Sequence, residues 1–279
     1  MKIKTNILSF AFCLFCITIS TNSFAQWQGS GTYSNPYQIY TFNDMKALAD
    51  YVNSNGVTDN KYWKLMNDID FNFDTTFIRI GVSSETSFSG IFDGNNKIIS
   101  NFRMYHPNSG GGNVVSSLFG INNGNIKNLG VINANILSSG IANVICCANN
   151  GQIENCFATG IVQAATYSSG ICFSNGEHGL IRGCYADVDI QEGQYAAGFC
   201  AETFSSDQGV AIFNSYSIGD VYPTNNAAPF AQDIGGYDHN YNKYCYYREQ
   251  NRTYTPWPGY TSVGRHIKDY CTIAISCFY

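Results

Sequence analysis

Apolar and polar positions recur along this chain with a period far longer than that of a single helix or strand. The copies are Gly90-Ile-Phe-Asp-Gly-Asn-Asn-Lys-Ile-Ile-Ser-Asn-Phe102, Leu118-Phe-Gly-Ile-Asn-Asn-Gly-Asn-Ile-Lys-Asn-Leu129, Ile145-Cys-Cys-Ala-Asn-Asn-Gly-Gln-Ile-Glu-Asn-Cys156 and Ile171-Cys-Phe-Ser-Asn-Gly-Glu-His-Gly-Leu-Ile-Arg-Gly-Cys184. Two looser copies end at Ser215 and Cys245, so the anchors Phe102, Leu129, Cys156, Cys184, Ser215 and Cys245 lie 27, 27, 28, 31 and 30 residues apart. Each copy reads as an apolar pair, an Asn/Gly turn, Ile-x-Asn before Cys or Leu, and a short alternating strand such as Ala186-Asp187-Val188-Asp189-Ile190. Strand, turn, strand, turn, strand is one coil of a solenoid. Helical repeats would need amphipathic runs of about ten residues or more, which the Gly and Asn density excludes. The pattern therefore predicts an all-β fold, a single-stranded right-handed parallel β-helix whose coils pair at ~4.8 Å. It also predicts interior amide ladders at the recurring Asn positions, and one interior column holding Phe102, Leu129, Cys156 and Cys184.

Ahead of the repeats the period changes. Residues 41–56 place Phe42, Met45, Leu48, Ala49 and Val52 on one face of a helix, with Thr41 and Asp44 at capping-box spacing and Gly56 to end it. A solenoid must cover its first open coil, and this helix is the expected cap. The domain plan is then 1–25 as a signal peptide, 26–60 as the N-terminal segment with the capping helix, 61–250 as β-helix repeats, and 251–279 as an irregular C-terminal cap or tail. The signal reading rests on Lys2 and Lys4, the apolar stretch from Ile7 to Ile19, and the small-x-small site Ser23-Phe24-Ala25. It implies a secreted or cell-surface protein with no membrane span once the signal is removed.

Composition and charge narrow the partners. The chain is 44% hydrophobic and 13% charged, enough apolar material for a core and about half the usual charge. Removing residues 1–25 leaves 13 basic against 20 acidic residues, a net charge of −7. Scattered basic residues in such an acidic chain argue against nucleic acid as a partner.

At this point Gly29-Ser-Gly-Thr-Tyr-Ser-Asn-Pro-Tyr-Gln-Ile39, the cap helix, Lys64-Leu-Met-Asn-Asp-Ile-Asp70, Phe88-Ser-Gly-Ile-Phe-Asp-Gly94 and the later Gly/Ile/Asn/Cys copies resemble secreted GLUG-motif repeat proteins of the Bacteroidetes type. The resemblance spans about residues 29–250. It implies a right-handed β-helix on secreted or surface proteins, in adhesin-like settings or as an accessory region of large peptidases, and it implies no catalytic residues. This chain departs from the pattern where Cys or Ala replaces the usual Gly-Ile-Val-Gly, and in its Tyr/Cys-rich C-terminus.

The candidate chemistry is sparse. Once Cys13 and Cys16 leave with the signal, nine of the 11 cysteines remain and no Cys-x-x-Cys is left. Cys146, Cys172 and Cys200 share one repeat position, and Cys156, Cys184 and Cys245 another, as small stacking core residues would. Disulfides between neighbouring coils stay open. Asp68, Asp70, Asn72 and Asp74 alternate along an expected strand, where the carboxylates could hold calcium; the alternative is a solvated strand face, and Asp187 with Asp189 repeats the idea. The histidines His106, His178, His239 and His266 have no ligand spacing. No His-Glu-x-x-His, Gly-x-Ser-x-Gly or phosphate loop occurs. A polysaccharide lyase or glycosidase would have to draw groups such as Asp68, Asp93, Arg79 and Arg103 from different coils. The expectation is a non-catalytic exported repeat protein for adhesion, binding a glycan or a host or cell-surface protein, with no cofactor. The alternatives are a polysaccharide-active β-helix enzyme or an accessory region of a larger surface protein. Tyr246, Tyr247, Tyr254, Trp257 and Tyr260 form a candidate glycan platform, against the alternative of a hydrophobic cap on the last coil.

Overall fold

Each sequence repeat supplies one coil, and three sheets run through the stack. The computed structural model describes residues 27–55, 58–107, 114–203, 212–222, 226–228, 230–233, 242–243, 245–248, 261–263 and 265–267. Among these the sheets contain fifteen, six and five strands. The long sheet gathers Ile91–Ser100, Asn125–Ser138, Phe157–Ala164 and Tyr185–Glu192 with their shorter neighbours. The second sheet stacks Phe119–Asn122, Cys146–Asn149, Cys172–Asn175, Cys200–Thr203 and Ala231–Asp233, and the third stacks Val115–Ser116, Ile141–Ala142, Tyr167–Ser169, Tyr195–Ala197 and Asn226–Ala228. Pairing from coil to coil is parallel, which makes the chain a parallel β-solenoid. Alternation decides what each strand buries. In Tyr185–Glu192, Ala186, Val188 and Ile190 point into the core while Asp187 and Asp189 face outward.

The helix forms as the spacing predicts, over Phe42–Asn55. Its capping box is reciprocal: the Asp44 N–H donates to Thr41 Oγ1 at 3.2 Å, and the Thr41 N–H donates to Asp44 Oδ2 at 2.9 Å. Met45, Leu48, Ala49 and Val52 are buried in the common core. The strand Tyr37–Ile39 before the helix already pairs with Tyr62–Leu65, so the helix connects two parallel strands as well as covering the core. Gln28 shields the outer edge of that first strand, accepting from the Gln38 N–H at 2.8 Å. At the other end, Thr261–Val263 adds antiparallel to Ala231–Asp233 and Arg265–Ile267 adds parallel to Tyr246–Arg248. The segment expected as an irregular cap or tail thus contributes two short strands, one of them reversed.

The register confirms most of the anchor column and corrects its first member. Gly130 pairs with Phe157, Phe157 with Tyr185, Tyr185 with Tyr216, and Tyr216 with Tyr246, which aligns Leu129, Cys156, Cys184, Ser215 and Cys245. Phe102 is buried but stands elsewhere: Arg103 pairs with Asn135, so Phe102 aligns with Ala134, and Leu129 pairs with Lys97. The cause is that two corners of the coil use the same turn chemistry. Asn101 and Asn133 form one exterior ladder and Asn128 and Asn155 another, all at positive φ. An Asn before an apolar residue therefore fits either corner. The first coil is also larger, with Ile91 opposite Asn125 and a register shift after Asp93. Its interior is filled accordingly by Trp63, Phe88 and Phe92, packed against Phe119, whereas later coils pack mostly Cys, Ala, Val and Ile, with Phe199 and Phe230 stacked at 4.7 Å.

Candidate functional site

Acidic side chains at the coil corners are engaged by the turns they sit in. Asp70 Oδ1 accepts from the Asn72 N–H at 2.7 Å and from Asn101 Nδ2 at 2.8 Å, and these bonds hold its carboxyl below the usual carboxylate range. Asp74 is lowered in the same way by Thr76, whose N–H donates at 2.6 Å. Asp68 accepts from the Ile98 N–H at 2.9 Å. The expected alternating strand through these residues does not form. The strand is only Ile69–Asp70, because the Asp70 turn takes Asn72 and Phe73 into left-handed geometry, with φ of 49° and 54°. Among the described residues, no three His, Cys, Asp or Glu side chains gather as a metal site.

The candidate lyase or glycosidase groups are dispersed. Asp93 accepts from the Asn95 N–H and lies 4.0 Å from Lys127, in the long sheet. Arg79 lies beside the second sheet, donating to the carbonyls of Val115 and Val82, and burial lowers its pKa. Arg103 stacks on Tyr105 at 5.0 Å. Outward charges in register form an alternating column instead: Asp93, Lys127, Glu154 and Arg182, with Arg182 and Glu154 at 2.9 Å. Asp189 accepts from the Asp220 N–H, again a link between coils. His106 contacts Ser116 at 3.0 Å; His239 and the His266 side chain lie outside the described residues.

The described cysteines are buried free thiols. Cys146 pairs in register with Cys172, and Cys172 with Cys200, while Cys156 and Cys184 follow one another in the anchor column. Their sulfurs donate to nearby carbonyls, as Cys156 does to Glu154 at 3.2 Å. Desolvation raises the thiols of Cys156, Cys172 and Cys200, and pushes those of Cys147 and Cys245 up to about 12. Such thiols are packing residues, poor as nucleophiles or metal ligands.

Of the expected aromatic platform, Tyr254, Trp257 and Tyr260 lie outside the described residues, as does the side chain of Tyr246. Tyr247 packs partly buried against the core. The outer faces carry aromatic columns that the sequence reading missed. Phe157, Tyr185 and Tyr216 stack at 4.9 and 5.1 Å with planes within 3°. Tyr167 and Tyr195 stack at 5.1 Å. Rings in such columns cover one another's faces and leave their edges to solvent, which fits them to link coils rather than to hold a sugar.

A concave surface is present among the described residues. At the corner between the second and long sheets, a groove of about 360 Å³ crosses successive coils. Its floor is Gly90, Gly124 and Gly151, which must be glycine: a Cβ at Gly124 would strike the Gly90 carbonyl oxygen, and one at Gly151 the Gly124 carbonyl oxygen. One wall is Asn123 and Asn150, joined at 3.2 Å, and the other is Asn125 and Gln152, joined at 3.4 Å. Ser89, Ile91 and His178 complete it, so the lining has no Lys, Arg, Asp or Glu. The residue before each outer Asn turns inward: Asn122, Asn149 and Asn175 form a buried amide ladder at 2.7 Å per step. The recurring Asn-Asn-Gly motif was the visible signal. One amide in each pair serves the core and the other lines the groove.

Parallel coils, a helix-covered N-terminal end and interior amide and thiol columns define this chain as a parallel β-solenoid. It is similar in structure to a putative immunoglobulin A1 protease from Bacteroides ovatus, with a TM-score of 0.62 and 20% identity over 86% of each chain. At that identity the likeness bears on the fold alone. No protein-family model matches the chain, and no curated protein sequence matches it.

Proposed function

We propose that this chain is a non-catalytic, exported β-solenoid whose outer surface binds glycan in an adhesive role. The carrying observation is that the candidate acids Asp68, Asp70, Asp74 and Asp93 each accept a backbone N–H in the structure. A glycosidase or lyase needs two carboxylates, or a carboxylate and a base, converging on one reacting bond. Here they hold corners together. Export is supported by the charged and apolar pattern of residues 1–25, and the surface setting by the residue-level likeness to GLUG-motif repeat proteins. The test incubates the full chain with neutral and acidic polysaccharides while following reducing ends and unsaturated products, and measures retention of the protein on the same polymers. Retention without product is the expected result. Steady product formation that a catalytically inert control lacks would overturn the reading in favour of a polysaccharide-active enzyme.

A further inference from the structure

The groove at the sheet corner has a chemistry that selects among glycans, and its position brings the exposed Tyr33 and the half-buried Tyr62 alongside. Its walls offer carboxamides, each able to donate and accept at once, which matches vicinal hydroxyls. Between the amide walls the lining has no fixed charge, and the flanking Lys127 and Arg182 are each paired with a carboxylate, Asp93 and Glu154, which leaves no unpaired cation there for a sulfated or uronate chain. The bare glycine floor lets a ligand approach the backbone closely.

The outward register through the groove wall runs Tyr62, Ile91, Asn125 and Gln152. Tyr62 therefore stands one coil beyond Ile91 on the same face, where Tyr33 meets it in a T-shaped contact at 5.2 Å and the Lys127 ammonium, paired with Asp93, lies 5.7 Å from its ring centroid. Tyr33 is 79% exposed, so unlike the stacked outer columns it presents a ring face to solvent. We propose that this groove binds a neutral, hydroxyl-rich polysaccharide laid along the solenoid axis, with a sugar against Tyr33 and Tyr62 and successive sugars between the Asn123/Asn150 and Asn125/Gln152 walls. The inference rests on the glycan-binding reading above and names its site and ligand class.

Coils repeat at ~4.8 Å and the amide pair occurs on two successive coils, Asn123 with Asn125 and Asn150 with Gln152, so a polymer laid along the groove engages both at once. The experiment is affinity electrophoresis of the full chain in gels holding soluble neutral polymers, namely an α-glucan, a β-glucan, a mannan and a galactan, with a polyuronate as charged control. Wild type should be retarded by a neutral polymer and not by the polyuronate. Tyr33→Ala and the double variant Asn150→Ala, Gln152→Ala alter exposed side chains, and each should weaken retardation by about tenfold, the equivalent of ~1.4 kcal/mol. Circular dichroism of each variant should match wild type. Retardation unchanged in well-folded variants overturns the groove while leaving glycan binding in place. Retardation by the polyuronate alone overturns the neutral class. Absence of retardation by every polymer overturns both the groove and the glycan-binding reading. If a variant misfolds, Tyr33→Phe and Gln152→Asn replace it, and they are expected to retain part of the retardation.

Discussion

Asn122→Ala should be costly and Asn123→Ala nearly silent, although the two residues are adjacent and identical. Asn122 Nδ2 donates to Asn149 Oδ1 at 2.7 Å and to the Gln152 carbonyl at 3.2 Å, and its Oδ1 accepts from the Gly124 N–H at 3.1 Å. The residue is fully buried. Truncation removes these three bonds, each worth ~1 kcal/mol net, and leaves the buried Asn149 Oδ1 without its donor at a further ~1 to 3 kcal/mol, so about 4 to 6 kcal/mol is expected. Asn123 contacts Ser87 at 2.8 Å and Asn150 at 3.2 Å from an exposed position, where water replaces what is lost and roughly 0.5 kcal/mol is expected. Asn122→Thr should fall between them, because Thr203 follows Asn175 in the same register column. Urea unfolding followed by far-ultraviolet circular dichroism and by fluorescence measures the shifts, with both probes compared because stacked repeats can lose two-state behaviour. Equal midpoints for Asn122→Ala and Asn123→Ala would refute the division into structural and surface amides.

The buried thiols set an alkaline limit. Cys147 and Cys245 ionise near 9.0 when unfolded and near about 12 when folded, so the unfolded state loses protons first and stability falls as pH rises from 9 toward 12. A urea midpoint that stays flat across that window would refute it. Mass-mapped alkylation of native protein at pH 8 should leave Cys146, Cys147, Cys156, Cys172, Cys184 and Cys200 unlabelled until denaturant is added. Tyr185→Ala removes two stacked pairs worth ~0.5 to 1.5 kcal/mol each and should lower the thermal midpoint accordingly, without changing polysaccharide retention. Gly124→Ala drives a Cβ into the Gly90 carbonyl and should cost ~1 to 3 kcal/mol or block folding; a fully stable, soluble variant would show that the coils can separate there.

The coil architecture was legible because solenoid packing is a rule about translation, and translation leaves a period in the residues. The cap helix was legible for a local reason, its capping box and apolar stripe. The first anchor was misplaced because spacing alone cannot tell one left-handed Asn corner from another: Asn101 belongs with Asn133 and Asp70, while Asn128 belongs with Asp93 and Asn155. The continuous strand expected through residues 68–74 does not form for a related reason. Alternating Asp and Asn is the signature of an outward strand face, but it is equally a run of residues that cap their own turns, and Asp70 and Asp74 do the latter.

The same ambiguity explains why the candidate site was harder to read than the fold. In Asn122-Asn123-Gly124-Asn125 one amide is core, one is wall, the glycine is floor, and the last amide is the opposite wall. Composition cannot separate these roles, because each needs a small polar residue or none, and only the direction of the chain at the corner assigns them. Side chains with stronger chemistry, the carboxylates and thiols, are engaged in turns or buried in columns. At the groove itself, what remains is repeated, uncharged and weak at each coil. Weak groups at a fixed repeat discriminate poorly among small molecules but add along a chain, which is why the proposed ligand is a polymer and why retardation, rather than the binding of a single sugar, is the measurement that tests the groove.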